Sequence, residues 1–181
     1  MSDTANPIIL KKFSRAELIG DFNFLIKTLE EVHPDLYANA DIAEMQNLYK
    51  CVRNSLHDNM TLVEFYRVIG KIVPLYKDGH TRIGAQQFIT QESSIYLPLS
   101  LRFEEGHVII NHKTMNCEKD DVILSVNNNS ITDIVSRMLE YISADTETYK
   151  IALLEKGYFL FLLTIALDIN PPFVLELKRN N

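Results

Sequence analysis

Three segments in the first half of the chain each open on a small polar residue with a glutamate three positions later: Ser14 with Glu17, Asp41 with Glu44, and Thr61 with Glu64. A side chain at the first position can accept from first-turn amides while the glutamate reaches back to the cap's own amide, so each pair marks a helix start. Apolar residues then recur at three- and four-residue spacing. Leu18, Phe22, Leu25, Ile26, Leu29 and Val32 follow the first start, and Ile42, Met45, Leu48, Tyr49, Val52 and Leu56 the second. Leu62, Phe65, Tyr66, Ile69, Ile72, Val73 and Tyr76 follow the third. A helix with one apolar stripe must cover it, and three joined by short connectors can do so against one another, which predicts a helical bundle over 14–77 after an extension at 1–13. His33-Pro34 should end the first helix, because proline disfavours the helical conformation in the residue before it. Pro74 crowds the carbonyl of Gly70, so the third pattern should kink or stop there.

From Ile95 the hydrophobic period changes from helical to extended. Tyr96 to Phe103 and His107 to Ile110 flank Glu104-Glu105-Gly106, which reads as a hairpin, and Val122 to Val126 reads as a further strand. Asn127-Asn128-Asn129 ends that strand in residues that tolerate a left-handed backbone. Ser130 or Thr132 can cap a helix running to about Ile142, and Asp145 or Thr146 another running to Leu167 with a break at Gly157. Phe173 to Leu177 closes the pattern as a last strand. The whole predicts an α+β fold, with the helical bundle, a linking turn at 78–94, and a mixed α/β module over 95–178.

The chain's 181 residues, 46% of them apolar, can bury a core unaided. A net charge of −6 disfavours a nucleic-acid surface, which needs clustered Lys and Arg. Cys51 and Cys117 form no CxxC or Cys/His pattern, and the five histidines stand at no metal-ligand spacing, so no metal and no cofactor is expected. Tyr158 to Leu167 is too short for a membrane-spanning helix and reads as buried. The polar residues Met1 to Pro7 are unlike a signal peptide, which leaves either a cytoplasmic protein or one whose leader has been removed.

The stretch best suited to chemistry is Asp78-Gly79-His80-Thr81, a histidine in a glycine-containing turn between the two structural regimes. Imidazole titrates near ~6.5 and can take and return a proton at neutral pH, which suits His80 to general-base work. Asp78 is expected to hydrogen-bond the local backbone, since a residue two positions away on a turn seldom has the geometry to orient the ring. His33 reads as a helix cap or a packed histidine.

Leu29 to Tyr37 (Leu-Glu-Glu-Val-His-Pro-Asp-Leu-Tyr), then Met60 to Tyr66, then Lys77-Asp78-Gly79-His80-Thr81-Arg82, resembles the N-terminal region of the C-terminal-processing serine peptidases, also called tail-specific or tricorn-like. Tyr96 to Leu99 and Asp121 to Asn127 resemble the PDZ-like module of that family. Two positions depart from it: Asp120 and Asn128 stand where the family commonly has glycine. The resemblance covers roughly 14–178 and implies that His80 is the general base for a serine in a downstream α/β domain, with the orienting acid and the oxyanion hole also expected from downstream sequence. No Gly-x-Ser-x-Gly elbow occurs in this sequence, so the chain alone is expected to be inactive. The implied partners are a polypeptide substrate or peptide C-terminus and that catalytic domain, and the implied location is exported. The alternative is a stand-alone peptide-binding or adaptor module, in which the Val122 to Val126 strand or the hairpin offers an open sheet edge.

Overall fold

The computed structural model describes residues 11–84, 99–114 and 116–179. They fall into two compact units, one built from 11–84 together with Ser143–Asp145 and the other from the remaining residues. The fold class is α+β, as the change of period predicts. Met1 to Pro7, residues 85–94 of the expected linking turn and Tyr96 to Pro98 of the expected hairpin lie outside the described residues.

In the first unit, strand β1 (Lys12–Phe13) leads into helix α1 (Arg15–Val32). Both halves of the Ser14/Glu17 capping box form, with Glu17 Oε2 2.8 Å from the Ser14 amide and the Glu17 amide 3.3 Å from Ser14 Oγ. Helix α2 (Ile42–Ser55) starts on Asp41, whose Oδ1 accepts from the amides of Ala43 and Glu44. Strand β2 (Met60–Thr61) pairs antiparallel with β1, so part of the expected extension is built into the unit. Helix α3 (Leu62–Ile69) starts on the Thr61/Glu64 box and stops at Gly70. Pro74 then sits in the first turn of a separate 3-10 helix (Val73–Tyr76), where its missing N–H costs nothing. Phe22, Leu18, Ile72 and Tyr76 are almost wholly buried at the centre. Arg15 ties the start of α1 to the end of α2, donating from Nε to the Leu56 carbonyl at 2.9 Å. Two stripe positions are corrected: Val32 and Ile42 are exposed, because each lies in a terminal helical turn.

The second unit is a wholly antiparallel sheet with helices. Strands β3 (Leu101–Glu104) and β4 (His107–Ile110) form the expected hairpin, with Glu105 and Gly106 both at positive φ. That left-handed pair matches the right-handed strand twist. Strand β5 (Val122–Val126) pairs with β4, and through a second left-handed turn at Asn127 and Asn128 with the short β6 (Asn129–Ser130). Strand β7 (Leu175–Lys178) pairs with β5 as well. A strand has two edges, so β5 lies inside the sheet and the open edge expected of it is not there. Helix α4 (Ile131–Leu139) ends three residues short of the predicted Ile142, and the chain then contributes Ser143–Asp145 to the first unit. Thr146 caps helix α5 (Glu147–Leu153) by accepting from the Tyr149 amide. The helical run continues irregularly to Ala166, broken at Gly157 (φ 110°) as predicted. Phe159 and Phe161 are core, and Tyr158 is half-buried.

Asp120 and Asn128 both have positive φ, 70° and 62°. Glycine would be the unstrained choice at either place, and Asp and Asn are among the few side chains that tolerate it. The Asp121 carboxylate is buried and takes two bonds from Arg179, each 2.9 Å, and one from the Glu118 amide at 2.8 Å. Among the described residues, no helix is long and apolar enough to cross a membrane.

Candidate active site

The Asp78-Gly79-His80-Thr81 turn follows the 3-10 helix through Lys77, whose left-handed conformation (φ 54°) redirects the chain. Asp78 is its hub. Oδ1 accepts the His80 amide at 3.1 Å, and Oδ2 accepts the Thr81 hydroxyl and stands 3.1 Å from His33 Nε2. The backbone role expected of Asp78 is therefore present. The same carboxylate also reaches the imidazole: His80 Nδ1 lies 3.4 Å from Oδ1. The exposed ring thus stands at ion-pair distance from the carboxylate that holds its amide, and the hydrogen bonds of that carboxylate go to the His80 amide, Thr81 and His33.

His80 itself is almost fully open to solvent, its side chain 96% exposed, while Asp78 and His33 are about one-fifth to one-quarter exposed. The Thr81 hydroxyl and the His80 amide, with smaller contributions from the two imidazoles, hold the Asp78 carboxyl well below the usual carboxylate range against the opposing effect of burial. Asp78 is thus an anion at neutral pH. An anion beside Nδ1 favours a proton there and leaves Nε2 as the nitrogen able to take another.

The turn's backbone is held from a segment far along the chain. Ser143 Oγ donates to the Asp78 carbonyl at 2.6 Å, and the Gly79 amide donates to Asp145 Oδ1 at 3.0 Å. A Cβ on Gly79 would stand 3.2 Å from Asp145 Oδ2, so a larger residue here requires the exposed Asp145 side chain to shift.

The sequence matches no protein-family model and no curated protein.

His33, Ser143 and Asp145 are the members of the site that the sequence reading did not assign to it. His33 has a visible signal, since it stands in the His-Pro-Asp-Leu-Tyr phrase that carries the resemblance, while its place before proline suggests a cap or a packed histidine. It is a cap: its amide donates to the Leu29 carbonyl at 3.0 Å, and its ring goes on to Asp78. His57 Nδ1 is bonded to its neighbour's carbonyl, and His112 Nδ1 lies 3.2 Å from Ser100 Oγ. Among the described residues, no group of three or more His, Cys, Asp or Glu is placed to hold a metal.

Proposed function

We propose that this chain is the N-terminal, non-nucleophilic part of a serine peptidase acting on polypeptides, with His80 as general base and Asp78 as the carboxylate that orients it. The observation that carries the reading is an exposed imidazole whose Nδ1 stands 3.4 Å from the Asp78 carboxylate, a pairing of groups that acyl transfer uses when the two close to a hydrogen bond. In the reaction, His80 Nε2 takes the proton of a serine hydroxyl as it attacks the scissile carbonyl. Asp78 stabilises the resulting imidazolium. The same nitrogen then returns the proton to the leaving amine. The positive φ of Asp120 and Asn128, at positions where the resembled family has glycine, adds support from the second unit.

The test is made on the full gene product. His80→Ala should lower cleavage of an unstructured polypeptide by roughly 10²–10⁴-fold, the usual contribution of a positioned acid–base group. Labelling by a serine-directed fluorophosphonate should fall in parallel. Cleavage at the wild-type rate in that variant, or a gene with no serine elbow beyond residue 181, overturns the reading.

A second reading, a peptide-binding module, rests on a different observation. The outward amide of Phe103, on the outer edge of β3, donates to a carboxylate, Glu155 Oε1, at 2.7 Å. That edge borders a small cavity of about 50 Å³ lined by Leu99, Leu101, Leu154, Phe159 and Leu160. An edge amide that takes a carboxylate beside apolar residues suits an extended peptide.

A further inference from the structure

The structure assigns His33 as a positioning residue for His80, acting through Asp78; this inference rests on the reading of His80 as a general base. Two phrases of the first unit, His33-Pro34-Asp35 and Asp78-Gly79-His80-Thr81, meet across 45 residues of sequence in the contact of His33 Nε2 with Asp78 Oδ2 at 3.1 Å.

The backbone fixes which nitrogen of His33 carries the proton. The Asp35 amide donates to Nδ1 at 3.1 Å, so Nδ1 is an acceptor and the neutral ring must carry its hydrogen on Nε2. Nε2–H therefore donates to Asp78. The cap geometry at the end of α1 and Pro34 leave the ring little freedom to do otherwise, and the side chain is three-quarters buried.

On the receiving side, the two carboxylate oxygens have separate duties. Oδ1 serves His80, through its amide and its ring. Oδ2 is held by the Thr81 hydroxyl and His33. Thr81 and His80 belong to the turn itself and move with it. Among the described residues, His33 is the side chain from outside the turn that grips the carboxylate, and so it sets the plane in which Oδ1 faces His80. The turn's backbone is anchored independently by Ser143 and Asp145, so loss of His33 should free the carboxylate without releasing the turn. An imidazole that fixes a carboxylate, which fixes a second imidazole, is the logic by which an outer group sets a reacting group's tautomer.

The test compares His33→Gln with His33→Phe in the 181-residue chain. Glutamine places an amide N–H close to where histidine has Nε2–H, whereas phenylalanine keeps ring bulk and offers no donor. Neither keeps an acceptor at the Nδ1 position that serves Asp35, so their difference reports chiefly on the Asp78 contact. The readout is the tautomer of His80, from long-range proton–nitrogen correlation at roughly two pH units above the ordinary imidazole value, with the signal assigned by His80→Ala. The wild type and His33→Gln should hold His80 mainly as the Nδ1–H form. In His33→Phe and in Asp78→Asn the ratio of Nδ1–H to Nε2–H should fall by roughly threefold or more, the effect of losing one hydrogen bond of ordinary strength. A change in Asp78→Asn with none in His33→Phe overturns the role of His33, and so does no change in either. Retained folding is checked by the amide spectrum, and an unfolded His33→Phe leaves the comparison of His33→Gln with His33→Ala to decide on the same ratio. Because the readout involves no hydrolysis, a normal tautomer response in a protein whose His80→Ala variant cleaves at the wild-type rate would remove the peptidase reading alone.

Discussion

Ser143 donates its hydroxyl to the carbonyl of Asp78 at 2.6 Å across 65 residues of sequence, and Ser143 is itself buried. Replacing it with alanine removes the shorter of two bonds to that carbonyl and leaves it only the Thr81 amide, at 3.3 Å. The net contribution of one such hydrogen bond is about 0.5–1.5 kcal/mol, so Ser143→Ala should lower unfolding stability by that order in urea titrations. A loss within ~0.3 kcal/mol would mean that the contact is not formed in solution.

Acid should find a specific weakness at Asp121. The paired bonds from Arg179, and then the Glu118 amide, lower its carboxyl to about 2. The unfolded chain titrates near the ordinary ~3.9, so the folded state binds fewer protons between these values. The stabilisation is fully present above ~3.9 and is lost as pH falls through about 2. Asp78 is lowered in the same direction and adds to the same acid limb. Stability measured against pH should therefore fall less steeply below pH ~4 in Asp121→Asn than in the wild type. Parallel acid limbs would count against the Asp121–Arg179 pair.

The phase of α1 is tested by two phenylalanines two positions apart. Phe22 is fully buried, stacked edge-on against Tyr49 with ring centroids 6.0 Å apart, whereas Phe24 is 71% exposed. Phe22→Ala should cost about 3–5 kcal/mol through lost burial and the cavity left behind. Phe24→Ala should stay within about 0.5 kcal/mol. Similar costs for the two would place the helix in a different rotation.

That contrast marks where the sequence was informative. Helix starts were readable because a cap and its glutamate are local, and the Ser14 and Thr61 boxes form as the spacing demands. The turn at Asn127 and Asn128 was readable for the same reason, since residue type answers directly to backbone conformation. The stripe failed only at its ends, where Val32 and Ile42 keep the period but stand beyond their neighbours. For the site, His80 and Asp78 stood out as a local phrase. The contacts of Asp78 to His33 and Ser143, and of Gly79 to Asp145, did not, because no local pattern encodes separations of 45, 65 and 66 residues. The place of β5 inside the sheet was hidden likewise, since its pairing with β7 spans some fifty residues of chain.

In alkali, two tyrosines should stay silent. Tyr37 and Tyr76 are both raised well above the ordinary phenol range, chiefly by burial and then by hydrogen bonds with Glu30 and Tyr49 for Tyr37 and with Tyr49 for Tyr76. Tyr37 donates to Glu30 at 2.6 Å, and Tyr49 joins the Tyr76 hydroxyl in the interior. Their contribution to stability is complete below the unfolded value near ~10 and declines as pH rises above it. Phenolate absorbance of the folded protein should be the same in the wild type, Tyr37→Phe and Tyr76→Phe up to about pH 11, and should differ by one tyrosine each in urea. A difference already present in the folded titration would mean that the network is open to solvent.

The last prediction concerns the outer edge of β3. Glu155 occupies the Phe103 amide at 2.7 Å, so an extended peptide adding there must first displace a side chain that belongs to the same unit. A single added strand buries little surface and must order a flexible ligand, which limits affinity even at a vacant edge. Glu155→Ala removes the competitor and leaves an edge amide that water can reach, so the fold should tolerate the change with a loss below about 1 kcal/mol. The variant should then bind an apolar peptide with a dissociation constant of roughly 10 μM to 1 mM, and the wild type several-fold more weakly. A peptide with a free C-terminus presents the same chemical group that Glu155 supplied, and it should bind the variant better than its amide does, since amidation removes the charge. Titration of labelled protein with the paired peptides decides the matter. Equal affinity of wild type and variant would show that the β3 edge does not receive peptides and would remove the binding-module reading.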